Sequence, residues 1–181
     1  YNNSDIVNGF QLSIATIFYS FQLYADFSGY TDIAIGISLL FGIEITNNFR
    51  YPYFSKSIKE FWTRWHITLS NFLRDYLFLP IAYKFTRLLK SKVFSRKLNE
   101  NINYSLSILI TMFIAGMWHG PNWTFVLWGL LLGFYMAISR ITDKYRRKLW
   151  SKLEINKRVR NTLKVLSTFL LISITWVLFR A

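Results

Sequence analysis

Apolar stretches near the length of a bilayer-crossing helix recur along this chain, separated by polar or strongly basic segments. About 20 residues at 1.5 Å rise each cover the hydrocarbon core. Residues 6–25, 27–45, 102–118, 123–138 and 162–179 read as five such spans. The feature predicts an all-α, multi-spanning integral membrane protein.

Composition agrees. The 181 residues are 52% hydrophobic and include 17 Phe, 11 Tyr and 7 Trp, more than a soluble domain of this length needs. The net charge of +13 comes from basic residues clustered between apolar runs, which suits loops at a membrane surface and anionic lipid rather than nucleic acid. With no cysteine, disulfides, thiolate catalysis and Cys-ligated metals are excluded. Tyr1 is not an initiator Met and the last run stops at "WVLFRA", so residues 1–181 read as one membrane domain, a fragment truncated at both ends.

"DFSGYTD" (26–32) separates the first two spans with two carboxylates, which predicts a helix break near Asp26 to Gly29. Such a break within the membrane needs protein or a water-filled cavity around it. Residues 57–79 differ in kind. Lys59, Glu60, Thr63, Arg64, Ser70, Asn71 and Arg74 fall on one side, and Ile58, Trp62, Trp65, Leu69 and Leu73 on the other. That periodicity predicts an amphipathic helix lying in the interface. Ser57 and Glu60 suggest a capping box at its start, and Pro80 a stop at its end. Lys84 to Lys97 holds six basic residues and no acidic one, and Arg140 to Arg160 holds nine. Positive loops remain cytoplasmic, so residues 102–138 make one excursion out and back.

The turn of that excursion is "WHGPN", 118–122. An ionisable residue at membrane depth is a functional candidate. Gly120 and Pro121 end the helix beside His119, opening room for a polar pocket in which an imidazole serves as general base toward a hydroxyl. The plainer reading is a neutral imidazole bridging two helices. His66 shares the apolar stripe of the 57–79 helix, where a satisfied core histidine is the competing reading. Each histidine follows a tryptophan, Trp65 or Trp118; these two, with Asp26, Asp32 and Asn122, complete the candidate pocket. Asp26 and Asp32 serve equally well as caps of broken helix ends. No metal-ligand spacing, Gly-rich phosphate loop or Gly-x-Ser-x-Gly elbow is present.

Four stretches, "YADFSGYTDIAIGISLLFGI", "NNFRYPYFSKSIKEFWTRWHITLSNFLRDYLFLP", "GMWHGPNWTFVLWGLLLGFY" and "WVLFRA", occur in this order. Together they resemble the membrane-bound O-acyltransferase family, and within it the bacterial alginate O-acetyltransferase branch. The resemblance implies a multi-pass protein of the bacterial inner membrane with no bound cofactor. It would transfer an acyl group, expected to be acetyl, from acyl-CoA or an acyl carrier protein thioester. The acceptor would be a hydroxyl of an envelope polysaccharide, alginate-like or peptidoglycan, or an acyl-accepting partner outside the membrane. The family's principal catalytic histidine corresponds to His119 and its second important histidine to His66. D-alanyl transfer to teichoic acid is the nearest alternative within the family. A transporter or a non-catalytic scaffold for polysaccharide modification is the alternative outside it.

Overall fold

The computed structural model describes residues 8–89 and 95–180. The start of the first expected span and part of the first basic segment, residues 90–94, lie outside the described residues. Every regular element among them is helical.

Helix α1, Gly9–Leu40, runs 32 residues, about 48 Å at 1.5 Å per residue. Its start is a complete capping box: Gln11 N–H donates to Asn8 Oδ1 at 3.0 Å, and Asn8 N–H donates to Gln11 Oε1 at 3.1 Å. The break expected at Asp26 to Gly29 does not occur, so the spans expected at 6–25 and 27–45 share one helix over residues 9–40. The reason is energetic. One interior glycine costs a helix about 1 kcal/mol, and no proline adds to it, whereas opening the backbone would free carbonyls and amides that need new partners. Thr31 Oγ1 donates to Ser28 O at 2.8 Å without interrupting the helix. Asp26 and Asp32 project from its exposed side. Gly42, at φ 72°, closes the helix in the left-handed conformation.

The chain then doubles back. Tyr51 takes a left-handed conformation before the short 3-10 turn Pro52–Phe54. Tyr53 Oη donates to Ser20 O at 2.5 Å, and Ser20 Oγ donates to Ser173 Oγ at 3.0 Å. These bonds tie the returning segment to α1 and α1 to the last helix.

The expected single helix at 57–79 is two. Helix α2, Ile58–Trp62, begins at Ser57, whose hydroxyl accepts Glu60 N–H at 3.1 Å. Glu60 Oε2 accepts the N–H of Lys56, not that of Ser57, so the capping box is half formed. Helix α3, Ile67–Leu73, begins at His66 in the left-handed region, φ 42° and ψ 59°. The interruption persists because Asn48 supplies acceptors to Ile67 N–H and Thr68 N–H from another segment, replacing the turn that α2 would have continued. Pro80 does not stop the chain's helical course either. A π-helical turn, Arg74–Phe78, links α3 to α4, Leu79–Leu88, with Leu79 N–H reaching Arg74 O. Proline lacks the N–H for Tyr76 O and crowds that carbonyl; the widened turn absorbs both defects.

Helices α5, Arg96–Trp118, and α6, Trp123–Lys152, form an antiparallel pair, and α7, Lys157–Arg180, packs against α6 and α1. These three are long and apolar enough to cross a membrane; α1 is not one of them. The pair approaches closely through small residues. A Cβ on Gly116 would lie 2.5 Å from Phe125 O, and one on Gly129 would collide with Met112 O. Much of the second basic segment is helix rather than loop: α6 continues to Lys152 and only residues 153–156 link it to α7. Lys and Arg are good helix formers, and Asp143 pairs with Arg147 one turn on. The α5 start and α6 end, which carry the basic segments, therefore share one end of the bundle, with His119 at the other. The core between them is aromatic: Trp128 stacks on Trp176 at 5.8 Å, and Trp65 on Phe61 at 5.4 Å.

Candidate active site

His119 is the first residue past α5. Its N–H donates to Gly116 O at 3.1 Å, and Gly120, at φ 150°, turns the chain where an L side chain is strained. Pro121 follows, and Asn122 caps α6 by accepting Thr124 N–H at 3.2 Å. A four-residue turn thus fixes the imidazole between two helices. Its ring is half-buried and meets aromatic rings: Trp118, Trp128 and Phe179 each at 5.0 Å between centroids, and Phe125 at 6.1 Å. Among the described residues no side chain or carbonyl hydrogen-bonds its ring nitrogens.

His119 lines one end of a cavity of about 250 Å³. Tyr104, Ile108, Thr111, Met112 and Ala115 carry the lining along one face of α5. From Tyr104 to His119 this face extends about 22 Å, toward the basic end of the helix pair. Trp128 and Met136 of α6 continue the wall. The opposite side comes from α2, α3 and the π-turn, where apolar Trp62, Leu69 and Leu73 and polar Lys59, Thr63, Ser70, Asn71 and Arg74 all belong to the lining. Arg74 pairs with Asp75 at 2.8 Å, and that guanidinium holds the Asp75 carboxyl below the usual carboxylate range. Near the Tyr104 end, the Arg140 guanidinium lies 5.4 Å over the Tyr104 ring.

His66 is outside this lining but close to His119. The two imidazoles flank Trp118, at 6.5 and 5.0 Å between centroids. His66 also meets the edge of Phe27 at 4.9 Å, and its Nδ1 lies 3.3 Å from Asn48 Oδ1. The other candidates have different places. Trp65 is buried, stacked on Phe61 and 5.3 Å from Trp176, and packs the core. Trp118 is 62% exposed. Asn122 caps a helix. Asp26 and Asp32 stand on the exposed side of α1, away from the cavity lining. Among the described residues no three His, Asp or Glu side chains converge as a metal site requires.

Sequence reasoning overlooked Asn48, Trp128 and the polar wall of the cavity. Asn48 stands in the "NNFRYPYF" motif, but its contact with His66 spans 18 positions and follows no helical spacing. Trp128 was readable only as one apolar position of a span.

Fold and site define a helical membrane protein in which a break between two long helices places an unbonded imidazole at the end of a mostly apolar cavity. A model of the membrane-bound O-acyltransferase family matches residues 2–180, and the chain belongs to that family. It is 41% identical to a peptidoglycan O-acetyltransferase of Helicobacter pylori over 94% of its length, and 41% identical to a probable alginate O-acetylase, AlgI, of Pseudomonas aeruginosa over 93%. A teichoic acid D-alanyltransferase of Bacillus subtilis is 36% identical over 72% of the chain. The chain spans 29%, 28% and 31% of these relatives, under a third of each.

Proposed function

We propose that the protein containing this chain is an O-acyltransferase of the bacterial inner membrane, moving an acetyl group to a hydroxyl of an envelope polysaccharide. The observation that carries this reading is the His119 imidazole, without a hydrogen bond among the described residues, in the lining of a cavity of about 250 Å³. An acetyl thioester, on coenzyme A or an acyl carrier protein, enters from the basic end, taken as cytoplasmic. The acceptor hydroxyl approaches from the end at which α5 and α6 turn. His119 takes the hydroxyl proton as its oxygen attacks the thioester carbonyl carbon. The tetrahedral adduct then collapses with cleavage of the C–S bond. The departing thiolate recovers the proton from His119, leaving an ester and a free thiol. Aromatic walls keep bulk water from the thioester, which would otherwise hydrolyse.

Acetyl is preferred to D-alanyl because the relatives named for acetylation match more of the chain, 93–94% against 72–77%. Alginate and peptidoglycan remain the two acceptor classes. Transfer of radiolabelled acetyl by membranes containing the full-length protein, offered alginate, peptidoglycan and teichoic acid in parallel, tests the reading. Label in an alkali-labile ester on one of the first two is the expected result. D-alanine in place of acetyl, or no transfer to any of the three, would overturn it.

A further inference from the structure

The carboxamide oxygen of Asn48 gathers three neighbours. Thr68 N–H lies at 3.1 Å, Thr68 Oγ1 at 2.7 Å and His66 Nδ1 at 3.3 Å. A backbone N–H only donates, so the atom it faces is the oxygen of the carboxamide and not its NH₂. An oxygen only accepts. The His66 nitrogen turned to it therefore carries a proton, and in a neutral imidazole the other nitrogen then keeps its lone pair.

The surrounding backbone holds this arrangement. Ile67 N–H donates to Asn48 O at 3.0 Å, and Arg50 N–H to Arg64 O at 2.9 Å, so the Asn48 segment is laced to both sides of the histidine. His66 itself is in the left-handed conformation, φ 42°, which non-glycine residues hold only where surrounding contacts fix it. The Phe27 ring packs against the His66 ring at 4.9 Å between centroids and 87° between planes.

We propose that Asn48 is a positioning residue that fixes His66 as the Nδ1–H tautomer. Nε2, directed away from Asn48, is then an acceptor available to a substrate hydroxyl beside Trp118. The consequence for rate rests on the acyl-transfer reading above; the tautomer does not.

The test uses the full-length protein labelled with ¹⁵N-histidine, because ring-nitrogen shifts separate protonated from bare nitrogens. The His66 signals are assigned by their loss in His66→Gln. The wild type should show a protonated Nδ1 and a bare Nε2 at His66. Asn48→Asp keeps an acceptor oxygen and should keep that pattern and most of the turnover. Asn48→Ala should release the ring into a tautomer mixture. It should also lower kcat by about 10–100-fold, the range for partners that orient functional histidines at metal centres, with KM little changed. A wild-type His66 protonated on Nε2 would overturn the proposal. So would an unchanged tautomer in a folded Asn48→Ala protein. Absence of transfer by the wild type would sink the transferase reading, while the nitrogen shifts still decide the tautomer.

Discussion

His119 and Trp128 meet edge to face, 5.0 Å between ring centroids at 88°, with Trp128 only 2% exposed. The contact orients the imidazole by aromatic packing alone, since no hydrogen bond among the described residues does so. A histidine needed for structure is usually tied through a ring nitrogen. This one is held by its faces and edges, and its nitrogens stay open.

Replacing His119 by Gln should therefore separate stability from activity. Glutamine roughly keeps the volume between Trp128 and Phe179 but cannot take a proton near neutral pH. Acetyl transfer by the full-length protein should fall by about 10²–10⁴-fold, the usual worth of general-base catalysis. The thermal midpoint in detergent should stay near wild type. Normal turnover by well-folded His119→Gln would assign the catalysis elsewhere.

Gly129→Ala should behave in the opposite way. Its Cβ would collide with the Met112 carbonyl oxygen, on the rigid backbone of α5. Overpacking a tight interior costs about 1–3 kcal/mol, so the thermal midpoint should drop even though no reacting group is touched. An unchanged midpoint would mean that α5 and α6 are farther apart than the structure has them.

Asp26→Asn and Asp32→Asn should matter little to transfer. Both carboxylates are exposed on α1, outside the cavity lining. Turnover near wild type is expected, with folding stability within the roughly ±0.5 kcal/mol typical of exposed substitutions. Collapse of activity with either variant would bring α1 into the site.

The antiparallel α5–α6 pair brings Lys97, at the start of α5, and Lys148, near the end of α6, to one end of the bundle, so both are expected on one side of the membrane. In a cysteine-free full-length protein, cysteines introduced at Lys97 and Lys148 should resist an impermeant thiol reagent added to spheroplasts. A cysteine at Asn122, in the turn beside His119, should react. Labelling at Lys97 or Lys148 from outside would invert the topology.

Much of the framework was legible because its causes are local. The Ser57 cap bonds the N–H of Glu60 three positions on, and Gly120 with Pro121 ends the helix beside His119 as their backbone chemistry dictates; Asn122, read as a pocket residue, caps α6 instead. Apolar length gave α5, α6 and α7 their character, and the motifs around His119 and His66 gave the family. Short-range geometry and desolvation act on neighbours in sequence, so a linear reading captures them.

Only the tertiary structure decided the rest. Asp26 to Gly29 looked like a break, yet α1 passes through it, since one glycine weighs less than a helix's worth of satisfied backbone. Residues 57–79 looked like one helix, yet the chain breaks at His66, because Asn48, 18 positions earlier, pays for the left-handed turn with hydrogen bonds. Pro80 looked like a stop, yet it sits in the first turn of α4 behind a π-turn that absorbs it. Only the break at His66 is settled by a partner distant in sequence, Asn48; at Gly29 and Pro80 the helix's own backbone bonds outweigh the local signal. Periodicity along the chain carries no record of that partner. The sequence alone determined that this is a helical membrane protein with a histidine at a helix break; packing across the bundle decided which side chains surround that histidine.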